Sequence, residues 1–220
     1  RFVNRGKKPF NVVDEQVMYQ FPFDADASIP YVRKSDGYEA QFFNSFEAQY
    51  TNDKLSNLNK ERLMFLPLIV KLENNVKVCI TEVDLENYPG LYLKTNNEEG
   101  QLVSEFANYP KKVEQGGHNM LQMVVKERED FIAKVDQPRN FPWRVAIVTD
   151  EDKDLASSEL GYLLAEPSRL EDISWIKPGK IAWDWWNDWN LDGVDFKTGV
   201  NNPTYKAYID FASKNGIEYV

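Results

Sequence analysis

From residue 1 to about residue 170, apolar and polar residues tend to alternate along the chain. That spacing puts successive side chains on opposite faces of a β-strand. Gln16–Phe23 (QVMYQFPF), Tyr38–Tyr50 (YEAQFFNSFEAQY), Arg62–Glu73 (RLMFLPLIVKLE) and Val76–Leu85 (VKVCITEVDL) are rich in aromatic and β-branched residues and predict strands. Asn119–Arg128 and Phe141–Asp150 predict two more, with EDFIAKVDQP continuing the first of them. Turn signals separate these runs at Asp36-Gly37, Asn74-Asn75, Pro89-Gly90 and Gly116-Gly117. LIVKLENNVKVCI reads as a hairpin about Asn74-Asn75. Many strands at short spacing predict a sandwich. Glu151–Ser168 changes character and suits a helix or helical turn closing at Pro167.

The pattern changes again after residue 170. Ser174–Lys180 carries Pro178-Gly179 and reads as a linker, and KIAWDWW reads as a short buried strand. Asn202–Gly216 predicts a helix. Asn201 or Asn202 can cap it, Pro203 suits its first turn and Gly216 supplies its stop. Tyr205, Tyr208, Ile209 and Ala212 recur at helical spacing, and IEYV begins a further strand. Strand, helix, strand is a βα unit of a parallel sheet, and one such unit cannot cover both faces of a sheet. The chain also opens without an initiator Met and stops within a strand-like run. The expectation is a piece of a longer polypeptide, in which a targeting segment could lie elsewhere.

Composition narrows the chemistry. A hydrophobic fraction of 42% supports a core, and 28% charged residues support a solvated surface. A net charge of -9 argues against a nucleic-acid partner, which needs a basic face. No apolar run approaches the roughly 18 residues of a membrane span. Cys79 and His118 are the only residues of their kinds. An internal disulfide is therefore excluded, and a Cys/His zinc site or a Ser/His/Asp set is not expected. His118 follows two glycines and reads as a loop residue.

Three stretches can carry function. In ITEVDLENYPGLYL, Glu82, Asp84 and Glu86 fall at period-two spacing and would share one strand face. They are either a solvated face or a source of one oxygen ligand for calcium, which takes carboxylates from several segments. SEFANYPKKVEQGG is turn-rich and includes Phe106, Asn108 and Tyr109, either an ordinary packed loop or a ligand-binding one. KIAWDWWNDWN holds four tryptophans beside Asp184, Asn187 and Asp188, either an aromatic core strand or the floor of a sugar site. At the C-terminal end of a barrel strand, Trp186 and Asn187 would be placed to contact substrate.

Taken together, ITEVDLENYPGLYL, FANYPKKVEQGG, PWRVAIVTDEDKDLASSELGYLLAEPS and the long run from Trp175 to Val220 resemble glycoside hydrolase family 97, the α-glucosidases and α-galactosidases. The resemblance covers most of the chain from about Leu66 onward. It implies a mainly β fold, a β-super-sandwich followed by the first β-α-β of a (β/α)8 barrel. The implied domains are the later part of the sandwich over 1–170, a linker over 171–180 and the barrel start over 181–220. It also implies that Glu82, in the ITE motif, is a ligand to Ca2+ beside the sugar site.

Trp186, Asn187, Asn108 and Tyr109 are the candidates for substrate contact. No catalytic acid, base or nucleophile is expected within residues 1–220, because the family's carboxylates lie on later barrel strands. The resemblance implies a calcium-dependent, exo-acting α-glycosidase that hydrolyses terminal α-linked sugars of oligosaccharides, in the periplasm or secreted. Its partners would be the oligosaccharide substrate and the rest of its own polypeptide. The alternatives are a non-catalytic carbohydrate-binding β-sandwich and a structural β-domain mediating assembly. Neither glucose versus galactose nor inversion versus retention follows from these residues.

Overall fold

The computed structural model describes all residues except 22–23, 34–35, 44, 97 and 118–119. In chain order its strands are β1 (Val3–Asn4), β2 (Phe10–Val12), β3 (Met18–Gln20), β4 (Asp26–Ile29), β5 (Thr51–Lys54), β6 (Leu68–Lys71), β7 (Lys77–Val83), β8 (Tyr92–Lys94), β9 (Gln101–Glu105), β10 (Pro110–Gly116), β11 (Gln122–Arg128), β12 (Ala133–Val135), β13 (Arg139–Asn140) and β14 (Trp143–Thr149). The helices are α1 (Asp152–Ala156), α2 (Leu160–Leu164) and α3 (Asn202–Asn215). The chain divides into two compact units, Arg1–Glu166 and Pro167–Val220.

The first unit is antiparallel β. A five-stranded sheet runs β14-β7-β6-β4-β5, and a three-stranded sheet runs β3-β9-β8. Strands β10 and β11 form a separate hairpin, while β12 pairs with β2 and β13 with β1. Apolar residues from both main sheets meet in one core: Ile29, Leu68, Val70 and Ile80 from the first, Leu93 and Leu102 from the second. Burying each such side chain contributes roughly 1.5–3 kcal/mol.

Met64 stitches the two sheets together. It bridges Tyr31, at the end of β4, on one side and Leu93 of β8 on the other. The Met64 and Leu93 backbones exchange two N–H···O bonds of 2.8 Å. At the far edge of the large sheet, β5 (TNDK) is polar and exposed throughout. An edge of that kind resists pairing with another chain.

The predicted hairpin forms. Strands β6 and β7 pair from Leu68↔Ile80 to Lys71↔Lys77, turning through Asn74 (φ 54°) and Asn75 (φ 64°). Asn is among the few residues that take this left-handed region at little cost.

The strand predicted over Tyr38–Tyr50 does not form. A 3-10 turn occupies Glu39–Phe42, and pairing begins only at Thr51. Tyr38, Phe42 and Phe46 recur every four residues, a helical spacing that alternation-based reading passes over. Their rings pack edge-on as a lid: Phe42 on Tyr92 at 5.5 Å and Phe46 on Phe65 at 5.2 Å. SEFANYPKKVEQGG is mostly strand rather than loop, because Pro110–Gly116 pairs with Gln122–Arg128. Residues 106–109 remain a connector, and Gly117 follows the strand. EDFIAKVDQP does not continue β11; its Ala133–Val135 pairs instead with Phe10–Val12. His118 lies outside the described residues.

In the second unit, Ile181 and Tyr219 form a parallel bridge on either side of α3. The order follows the predicted strand, helix, strand, but each flank contributes a single paired residue and not a strand. Asn201 caps α3 by accepting the Thr204 N–H at 3.0 Å, Pro203 sits in the first turn, and Gly216 ends the helix at φ 63°. The buried face of α3 is Thr204, Tyr208 and Ala212; Ile209 is exposed.

The short buried strand expected at KIAWDWW reduces to that single bridge. Asp184–Asn187 is a 3-10 turn, and Trp183, Trp185 and Trp186 are exposed. Strand structure needs a ladder of partners, and Ile181 has one. No helix among the described residues is long and apolar enough to cross a membrane.

Candidate functional site

The β7–β14 register sets the first feature. Arg144 stands directly opposite Glu82 on the neighbouring strand. Its Nη1 donates to Glu82 Oε2, while Nε and Nη2 donate to the two carboxylate oxygens of Glu15 at 2.8 and 3.0 Å. Leu91 N–H lies 3.2 Å from both Glu82 oxygens. The guanidinium carbon lies 5.3 Å from the Phe106 ring centre and 6.0 Å from that of Tyr88. A bidentate fork of this kind is the strong form of the carboxylate pair.

Burial dominates the electrostatics here. It raises Glu82 above the ordinary carboxylate range, against the opposing pull of the Arg144 charge and the Leu91 N–H. Burial also works against the Arg144 charge, yet the hydrogen bonds and charge of Glu15, with the charge of Glu82, hold the guanidinium protonated above its usual value. Tyr88 is pushed above the usual phenol range, by burial first and then by Glu15. Tyr19 is raised by burial, and its hydroxyl has no hydrogen-bond partner among the described residues.

The three carboxylates of ITEVDLE do not share a strand face. Strand β7 ends at Val83, and Asp84 turns left-handed at φ 60°. This breaks the two-residue alternation. Glu82 faces Arg144, whereas Asp84 accepts Arg1 Nη1 at 3.2 Å and the Glu166 N–H at 2.9 Å. Arg139 braces the following turn by donating to the Glu86 and Asn87 carbonyls.

Next to this turn lies a cleft of about 800 Å³. Asp84, Asn87 and Tyr88 line it from the turn after β7, Asn108 and Tyr109 from the connector after β9, and Lys134 from β12. Two of the predicted contact residues, Asn108 and Tyr109, are therefore brought together with the ITEVDLE turn. Tyr109 stacks on Phe131 at 5.5 Å and carries Lys134 Nζ 4.8 Å from its ring. Asn108 is fixed through its carbonyl, which accepts Arg128 Nη1 at 2.6 Å. Amide, phenol and charged groups around one cavity suit a polyhydroxylated ligand. Glu82 is not part of the lining.

In the second unit, Trp186 is 82% exposed and lies 6.1 Å from the Trp183 ring. Asn187 accepts the Tyr208 hydroxyl at 2.6 Å and donates to the Asn190 carbonyl at 2.6 Å. Helix α3 thus anchors Asn187 while leaving the Trp186 ring open.

Among the described residues, no group of three or more His, Cys, Asp or Glu side chains could hold a metal ion. Calcium takes six to eight oxygens, roughly, so these residues do not build a complete site. Glu82 fits as one ligand of such a set. Among the described residues, Arg144 takes Oε2, and the donor at Oε1 is the shared Leu91 N–H. Gly90 puts no side chain beside Oε1; a Cβ there would stand at ordinary contact distance, 3.4 Å from Oε1 and 3.5 Å from Leu85 Cδ2.

Sequence reading passed over Arg144 and Glu15. A lone arginine in the otherwise apolar PWRVAIV strand is the signal that points to them, because a charge on a core strand needs a partner.

Comparison with known proteins brings these features into one lineage. Residues 1–167 match the family described as Glycosyl-hydrolase 97 N-terminal, and residues 185–220 match Glycoside hydrolase 97. A retaining alpha-galactosidase of Bacteroides thetaiotaomicron is 70% identical over 222 residues, covering 100% of this chain and 34% of that protein. A probable retaining alpha-galactosidase of Streptomyces bingchenggensis is 35% identical over 79 residues, 36% of this chain and 11% of that protein.

The fold resembles that of a glycoside hydrolase family 97 enzyme in complex with acarbose from a Pseudoalteromonas species, with TM-score 0.68 at 22% identity over 98% of this chain and 29% of the other. A related structure in complex with panose gives a TM-score of 0.60 at 21% identity, over 92% of this chain and 29% of the other. The chain spans about a third of the length of its Bacteroides relative. The ITE strand, the cleft beside it and the capped helix after the tryptophan-rich turn all fall within the two matched regions, and the chain belongs to glycoside hydrolase family 97.

Proposed function

We propose that these residues form part of a retaining α-galactosidase that removes terminal α-linked galactose from oligosaccharides. The observation that carries this reading is the 70% identity, over the whole chain, to the Bacteroides retaining alpha-galactosidase. The match of residues 185–220 to the catalytic family model favours an enzyme over a carbohydrate-binding module.

Retention needs two carboxyl groups about 5–5.5 Å apart, one acting as nucleophile. We assign neither to residues 1–220. Glu15 and Glu82 are both tied to Arg144, which suppresses nucleophilic character. The contribution of this chain is recognition: the cleft beside Asn108 and Tyr109 in the first unit, and the Trp186–Asn187 turn in the second. Glu82 is proposed as one oxygen ligand of a calcium ion whose other ligands come from the longer protein. The family resemblance also supports a periplasmic or secreted location, which cell fractionation tests.

The decisive experiment uses the full-length protein on aryl α-galactoside and aryl α-glucoside, with proton NMR of the first sugar released. Faster cleavage of the galactoside and initial release of the α-anomer are expected. Preference for the glucoside, or the β-anomer appearing first, overturns the proposal.

A further inference from the structure

Two carboxylates and one guanidinium leave the Glu15–Arg144–Glu82 cluster, whose side chains are all largely buried, with one negative charge in excess. Buried charge is normally compensated. The cluster is also rigid. Three of the five N–H donors of Arg144 are committed, two to Glu15 and one to Glu82, and the rings of Phe106 and Tyr88 flank the guanidinium. Glu82 is therefore held from one side by a group that is itself held, and from the other by the Leu91 N–H.

From this geometry we infer that Arg144, braced by Glu15, is a positioning residue: it fixes the Glu82 carboxylate by Oε2 so that Oε1 is presented to a cation. This rests on the reading of Glu82 as a calcium ligand. The arrangement is that of an outer partner orienting a metal-binding carboxylate, and loss of such a partner typically costs about 10–100-fold in metal affinity. Glu15 acts one step further back. It neutralises and aims the guanidinium, which would otherwise repel a cation.

The alternative, in which Arg144 only opposes a nearby cation with its own charge, predicts the opposite sign. Removing the guanidinium would then tighten calcium binding.

The test is calcium titration of the full-length protein by calorimetry, with circular dichroism to establish folding. The variants are Glu82→Gln, Arg144→Lys, Arg144→Gln and Glu15→Gln. Arg144→Gln is expected to weaken calcium roughly 10–100-fold. Arg144→Lys keeps the charge but loses the fork, and weakens it less. Glu15→Gln preserves shape and weakens calcium even if the Arg144 variants fail to fold.

Hydrolysis by Arg144→Lys should recover at saturating calcium, which a purely structural role would not allow. Wild-type calcium affinity in both Arg144→Lys and Glu15→Gln, alongside loss in Glu82→Gln, overturns the positioning role, as does tighter binding in Arg144→Gln. Unchanged affinity in Glu82→Gln instead removes the ligand reading beneath it.

Discussion

Asp184 ties the tryptophan-rich turn together at three points. Its Oδ1 accepts the Trp185 N–H at 2.8 Å, its Oδ2 accepts the Trp189 ring N–H at 2.9 Å, and its carbonyl accepts the Trp189 backbone N–H at 3.0 Å. The Tyr205 hydroxyl, then the Trp189 ring and the Trp185 N–H, hold its carboxyl below the ordinary aspartate range. A depressed carboxylate contributes in full above its unfolded value, and the contribution is lost as pH falls through the depressed folded one. Acidification below the usual aspartate range should therefore change tryptophan emission in one step. Asp184→Asn should abolish that step; its persistence in the variant would assign it elsewhere. The sequence marked Asn187 as a candidate substrate contact and Asp184 as an acidic group among the rings, but not the bonds that hold either in place. Both are bonded internally, to Trp189 and Tyr208, and only the fold brings those partners within reach.

Elements were legible where the local code is strong. Asn201, Pro203 and Gly216 mark α3 to within a residue, because caps act over one turn. Asn74 and Asn75 mark the β6–β7 hairpin for the same reason. The failure at Tyr38–Tyr50 has the opposite cause. Aromatic residues favour strands by propensity, yet here they pack on Phe65 and Tyr92, distant in sequence. Asn201→Ala should destabilise α3 by about 1 kcal/mol, while Asn201→Asp retains most of the cap. Five of the six tryptophans lie after residue 170, so urea unfolding followed by their emission reports on the unit that holds this helix. An unchanged midpoint in Asn201→Ala would show that the cap contributes nothing.

For the molecule as a whole, the sequence revealed a β-rich region followed by a βα unit, and the family motifs named the lineage. Strand order was not legible, because β14-β7-β6-β4-β5 depends on pairings far apart in the chain. Nor was the Glu15–Arg144 link, which spans 129 residues. Met64 belongs to the same class of nonlocal feature. It is fully buried, and it lies between the end of β4 and Leu93. Its amide can reach water only if the ribbon joining both sheets opens, and core ribbons of this kind open at a cost approaching that of global unfolding. In deuterated buffer, the Met64 and Leu93 amides should be among the last in that unit to take up the isotope, long after those of the exposed edge from Thr51 to Lys54. Equal uptake at both places would mean that the two sheets part freely. Slow uptake at the junction would mean that the first unit melts as one piece.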